Sequence, residues 1–233
     1  MVNNWINEIQ SWLFPPSCIL CGTTGERGGD ICRECKGDLP YIEQGCSRCA
    51  LPMPQAGVCG QCQKSPPRFD RCFAPFSYEG AIADLVSGLK FHSRLQAGRL
   101  LAELLAEQIR KKGVELPETL IPVPLHDTRL KERGYNQALE LARPLAKYLS
   151  LPVAYRSCVR LKATGPQTAL PREERAKNVK GVFALIGPIQ ARHVVLLDDV
   201  VTTGSTVNEL AKLLKKAGVK RVDVWCVART VRD

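Results

Sequence analysis

The chain has 233 residues, 45% hydrophobic and 24% charged, with a net charge of +10 and 11 cysteines. Those proportions exclude a disordered or collagen-like chain. No apolar run reaches the 18 residues of a membrane span, and the first residues lack an export signal, so a cytoplasmic protein that is not itself transmembrane is expected.

The charge is uneven. Up to residue 70, six Lys/Arg face seven Asp/Glu; beyond it 27 face 16. A basic second part points to phosphate-bearing ligands or nucleic acid, with solubility alone as the plainer explanation.

In chain order, residues 5–14 come first, with Trp5, Ile6, Ile9, Trp12, Leu13 and Phe14 on an amphipathic turn or two. The segment lacks the basic polar face of a membrane-surface helix, so docking on the protein itself is expected. Four CxxC pairs follow: Cys18 and Cys21, Cys32 and Cys35, Cys46 and Cys49, Cys59 and Cys62. Cytosolic disulfides rarely persist, and four redox pairs in one Gly- and Pro-rich segment are implausible. Each pair instead forms a knuckle offering two thiolates, and eight thiolates suit two structural Zn2+ ions. The nearly equal gaps leave open whether the pairs combine in sequence order or alternate. Four thiolates make each site negative, so the basic second part is the expected main nucleic-acid contact. Arg27, Arg33, Arg48 and Lys64 remain candidates for a local patch.

Lys64-Ser65-Pro66-Pro67 reads as a boundary, dividing a zinc-binding module, residues 1–69, from an α/β domain, residues 70–233. In the latter, residues 81–92 and 95–111 read as helices, residues 119–123 as a short strand, and residues 136–149 as a helix bent at Pro144. Residues 153–159, 194–197 and 221–228 read as strands. Val207, Leu210, Leu213, Leu214 and Ala217 form one helix face, closed by Gly218. Cys72, Cys158 and Cys226 sit in strand-like surroundings as small buried residues. Alternating strands and helices predict a mainly parallel sheet with flanking helices, whose ligands bind at the carboxyl ends of the strands.

At such an end stands VVLLDDVVTTGST, residues 194–206. A Gly-bearing loop entering a helix directs backbone N–H groups at a phosphate, and the hydroxyls of Thr202, Thr203, Ser205 and Thr206 beside Gly204 add donors. Asp198 and Asp199 suit sugar hydroxyls or the waters around Mg2+. One strand, loop and helix can thus hold a ribose 5-phosphate by both ends. A capping box between Thr206 and Glu209 is the alternative, and it leaves the doubled aspartate unexplained.

This stretch resembles the phosphoribosyl diphosphate (PRPP) signature of type I phosphoribosyltransferases at every position. Together with four CxxC pairs ahead of it, and with PVPLHDTRLKERGYNQALELAR (Pro122 to Arg143) and RLKATGPQTALPREERAKNVKGVF (Arg160 to Phe183), the chain resembles the ComF/GntX family of competence and DNA-utilisation proteins. The resemblance implies a type I phosphoribosyltransferase-like sheet behind a double zinc ribbon. It further implies PRPP with Mg2+ as ligand, Asp198 and Asp199 on the ribose hydroxyls, and residues 202–206 on the 5′-phosphate. Single-stranded DNA and a membrane-associated DNA-uptake machinery are the implied partners. Arg129, Arg133 and Asn136 become candidates for the pyrophosphate end, with an exposed helix start as their plainer role. Lys162, Thr164, Gln167, Arg172 and Arg175 become candidates for the mobile loop that closes over PRPP in such transferases. A hood reading an acceptor base would have to come from residues 72–98, where Phe91, His92 and Arg94 stand, with a helix-end position as the plainer role of His92. A transferase acting on an unassigned acceptor and a PRPP-sensing regulator are the competing functions.

Overall fold

The computed structural model describes residues 17–26, 29–162 and 181–230; the segment 5–14 and Arg27 lie outside them. In chain order the elements are α1 (Arg33–Gly37), α2 (Gly60–Lys64), β1 (Cys72–Phe73), β2 (Phe76–Ser77), α3 (Gly80–Phe91), α4 (Leu95–Lys111), β3 (Thr119–Pro122), α5 (Asp127–Arg133), α6 (Gln137–Leu149), β4 (Cys158–Arg160), β5 (Phe183–Leu185), β6 (His193–Val201), α7 (Ser205–Lys216) and β7 (Arg221–Arg229).

The main sheet is wholly parallel. β7 pairs with β1 and β2 on one side and with β6 on the other, and β6 pairs with β3. Such a sheet is covered on both faces, and alternate residues of its strands enter two cores. Val195, Leu197, Trp225 and Val227 pack with α3, α4 and α6, whereas Val194, Leu196, Val222, Val224 and Cys226 pack with α7. Helix α4 commits Leu100, Leu101, Leu104, Leu105 and Ile109 to the first core, at about 1.5–3 kcal/mol for each such side chain removed from water. Helix α6 runs through Pro144 as one element, the missing N–H leaving one turn without its hydrogen bond.

The cysteine-rich residues straddle the open edge of this sheet. Cys18, Ile31, Cys32 and Leu39 join the core of α3 and α4, while Cys46, Cys49, Cys59 and Cys62 join the other. Between them the chain pairs with the edge itself: Ser77 N–H donates to Pro40 O (2.8 Å) and Ile42 N–H to Pro75 O (2.8 Å). An unpaired strand edge is thereby covered. Cys72, Cys158 and Cys226 are buried, as small apolar residues would be.

The structure corrects two sequence expectations and removes one alternative. Residues 153–159 are not one strand: Val153 makes a single bridge to Leu120, the chain turns at Tyr155 and Arg156, and β4 then pairs with β5 in a separate antiparallel ribbon. Pro152 and Ala154 exchange backbone bonds with Leu120, after which no partner strand continues. Strand β6 does not stop before the aspartates but carries them inside it, as far as Val201. Finally, Thr206 is no cap: α7 starts from Gly204, which has φ 77°, and no side chain caps it. A residue with a Cβ resists that left-handed conformation, so the glycine fixes how the chain turns from β6 into α7.

Candidate functional site

A cleft of about 730 Å3 opens at the carboxyl ends of β3, β6 and β7. Its floor is residues 198–207, so Asp198, Asp199, Thr202, Thr203, Gly204, Ser205 and Thr206 are all brought to one place. Four cationic side chains, Lys90, Arg129, Arg133 and Arg160, also line it. Cations outnumber carboxylates, which favours a polyanion over a neutral ligand.

The two aspartates differ because successive strand residues face opposite ways. Asp199 is buried and ion-paired to Lys90 at the end of α3. Burial alone would raise its carboxyl, but the Lys90 charge, together with hydrogen bonds from Asp198, Lys90 and the Val200 N–H, holds it below the ordinary range. Asp198 Oδ1 accepts from the Asp199 N–H at 2.9 Å. Burial raises its carboxyl well above the ordinary range, and the charge of Asp199 adds to the rise. Asp199 beside its lysine thus ionises readily, and Asp198 is the more reluctant of the two.

The loop is organised from within: Thr203 Oγ1 lies 2.8 Å from Ser205 Oγ and accepts from Ser205 N–H at 3.3 Å. Arg160 lies over the Phe183 ring (5.6 Å) at the base of the β4–β5 ribbon. Its guanidinium loses basicity to burial, an effect that the Asp198 charge opposes. Arg133 donates to Gln137 Oε1 (2.6 Å) and stacks over Phe91 at 5.5 Å. Phe91 is 67% exposed at the cleft rim, which leaves ring surface available to a ligand.

Lys162 does not line the cleft, and neither do His92 and Arg94. Thr164, Gln167, Arg172 and Arg175 lie outside the described residues. Asn136 takes its plainer role, accepting from Ala138 N–H (2.9 Å) as the cap of α6 and donating to Val123 O (3.0 Å). Asn136→Ala should therefore cost about 1–2 kcal/mol, read as a lower urea midpoint at unchanged slope. The sequence alone does not single out Lys90 or Arg160. Lys90 follows the buried Val86 by one helical turn, which was the available signal.

The cysteines settle into two groups in sequence order. Cys18, Cys21, Cys32 and Cys35 have their Sγ atoms within 4.8 Å of one another, as do Cys46, Cys49, Cys59 and Cys62. No disulfide joins them. Cys21 and Cys32 are 3.7 Å apart, as are Cys49 and Cys59, close to the edge of about 3.8 Å of a tetrahedron with zinc–sulfur bonds of ~2.3 Å. Burial opposes ionisation of Cys18 and Cys46, but backbone N–H donors outweigh it and bring both to about 6. Cys35 and Cys62 are pushed up, the former chiefly by its hydrogen bonds to neighbouring thiols and the latter by burial. Four crowded thiolates need a cation, and the residues present fit Zn2+.

Residues 9–63 match the family model of a double zinc ribbon domain, and residues 135–232 that of a phosphoribosyl transferase domain. DNA utilization protein YhgH of Shigella flexneri is 36% identical over 223 residues, covering 93% of this chain and 98% of that relative. Competence protein F of Haemophilus influenzae is 36% identical over 224 residues, 91% of this chain and 96% of that protein. Competence protein ComFC of Streptococcus pneumoniae is 26% identical over 230 residues, covering 91% and 99%. With a double ribbon of two four-cysteine sites laid on a parallel phosphoribosyltransferase-type sheet, the chain belongs to the family of YhgH and the ComF competence proteins.

Proposed function

We propose that this protein binds PRPP, or a related phosphorylated ribose, with Mg2+ in the cleft above β6, and that it uses this site while handling single-stranded DNA during DNA uptake or utilisation. The observation that carries the reading is the convergence of two carboxylates, a Gly204-centred loop and four cations in one cleft. The loop N–H and hydroxyl groups of residues 202–206 would receive the 5′-phosphate. Asp198 and Asp199 would accept from the ribose hydroxyls or from Mg2+-bound waters. Arg129, Arg133 and Arg160 lie where a pyrophosphate would extend, and Thr164, Gln167, Arg172 and Arg175 stay candidates for a closing loop.

The names of the relatives support the DNA half of the reading. So does a second cleft of about 640 Å3 where the ribbon meets α7. Arg48, Arg68 and Arg71 line it, all exposed, and none takes part in an ion pair among the described residues. A strand's phosphates fit such a row of cations. No described helix is long and apolar enough to cross a membrane. In this reading, contact with an uptake machinery runs through partner proteins, and we place the working site in the cytoplasm.

Transfer of the phosphoribosyl group to an acceptor is the second reading, favoured by the open Phe91 ring beside Arg133. Phosphorus NMR of PRPP with Mg2+ separates the two. Shifted or broadened PRPP signals without consumption are expected on adding the protein alone. Pyrophosphate released only with one added nucleobase or oligonucleotide would establish turnover. Unperturbed signals would remove the assignment.

A further inference from the structure

We propose that Arg229 makes the second four-cysteine site a working part of the phosphate-binding loop; the inference rests on the PRPP reading above. Arg229 ends β7 and is 1% exposed. Among the described residues no carboxylate forms an ion pair with it. Its Nε donates to Cys49 O at 3.0 Å, and its Nη1 donates to Val201 O at 2.8 Å and also to Thr202 O. Longer contacts reach Thr230 O (3.5 Å) and Thr230 Oγ1 (3.4 Å). One guanidinium therefore ties a knuckle of the ribbon to the first two peptide units of the loop.

A buried guanidinium is costly unless opposite charge stands near. The arrangement supplies that charge from both ends. Cys49 belongs to a cluster of four thiols that turns negative when it holds a divalent ion. On the other side lies the loop that would take a phosphate.

The peptide geometry gives the tie its consequence. In a trans peptide the C=O and the following N–H point in opposite directions. Holding Val201 O and Thr202 O against Arg229 turns the N–H groups of Thr202 and Thr203 away from it. Both of these residues line the cleft. The knuckle is itself fixed, since Arg48 O accepts from Cys72 N–H on β1 at 2.8 Å. Ordering of residues 46–62 thus sets the aim of two phosphate donors, and by linkage a bound phosphate must stabilise those residues in return. The first four-cysteine group, in the opposite core, has no such tie among the described residues.

The test uses zinc-loaded full-length protein with ribose 5-phosphate as probe. Hydrogen exchange resolved by mass spectrometry should show that the probe slows exchange in residues 46–62 and leaves residues 18–35 unchanged. Arg229→Met should weaken probe binding about tenfold or more and abolish that protection while two zincs remain bound. Arg229→Lys keeps the charge without the fork and should restore only part of the affinity. Folded variants that bind like the wild type would overturn the proposal. So would unchanged exchange at residues 46–62 in wild type that binds the probe, a measurement that stands even where neither variant folds. Wild type that fails to bind would remove the PRPP reading and this inference together.

Discussion

Asp199→Asn is expected to lower stability by about 3–5 kcal/mol, and Asp198→Asn is expected to leave it unchanged or raise it. The adjacent residues differ because Lys90 forms its ion pair with Asp199. Removing the Asp199 charge leaves a buried ammonium without its partner. Asparagine at 198 keeps an oxygen for the Asp199 N–H and removes a carboxyl that burial makes reluctant to ionise. The native carboxyl of Asp198 is raised above its unfolded value, so between the two values the native state holds more protons. Wild-type stability must then fall as pH rises through that window, and Asp198→Asn should flatten the fall. Ligand binding behaves in the opposite sense. If Mg2+ or ribose draws on ionised Asp198, affinity should increase with pH and drop about tenfold to a hundredfold in Asp198→Asn. Calorimetric melting across pH beside PRPP titrations checks all of this. Equal destabilisation by both substitutions would refute the division of roles.

Stripping the metal is expected to destabilise the entire described fold. Freshly purified protein should contain about two zincs per chain. Structural zinc contributes about 10–16 kcal/mol per site in small domains, comparable to the whole stability of a typical protein. Here Cys18 and Cys32 lie in one core of the sheet and Cys46, Cys49, Cys59 and Cys62 in the other. A strong chelator should therefore shift the single melting transition of the chain downward by tens of degrees. A ribbon that disorders while the sheet melts at its former temperature would show two independent modules, and so would falsify the shared-core account.

What could be read from the sequence was chemistry carried by neighbours along the chain. Paired cysteines, doubled aspartates and a hydroxyl-rich loop are local patterns, and alternating apolar segments gave the parallel sheet. Partnerships formed across the fold were not legible. Lys90 looks like a solvated helix-end lysine until α3 sets it against Asp199. Arg229 lies one residue past the expected end of its strand, and the carbonyls of Cys49, Val201 and Thr202 to which it donates come from two separate regions. The pairing of cysteines was equally hidden, because nearly equal gaps allow both arrangements and only the folded path selects one. The end of β6 was misread for a different reason: acids usually mark a strand terminus, and here a lysine makes burial of one tolerable.

The position of β7 has a consequence for how the protein is made. It is the last described element to leave the ribosome, yet it lies inside the sheet and pairs with β1, β2 and β6. The four CxxC pairs, by contrast, precede every strand of the sheet along the chain. The nascent chain can therefore carry two filled four-cysteine sites before there is a sheet for them to cover, and strands β1, β2 and β6 wait with open sides for β7. Such late, long-range closure is slow and leaves apolar surface at risk of association. Zinc supply during synthesis, rather than afterwards, should thus decide how much of the chain reaches its native state.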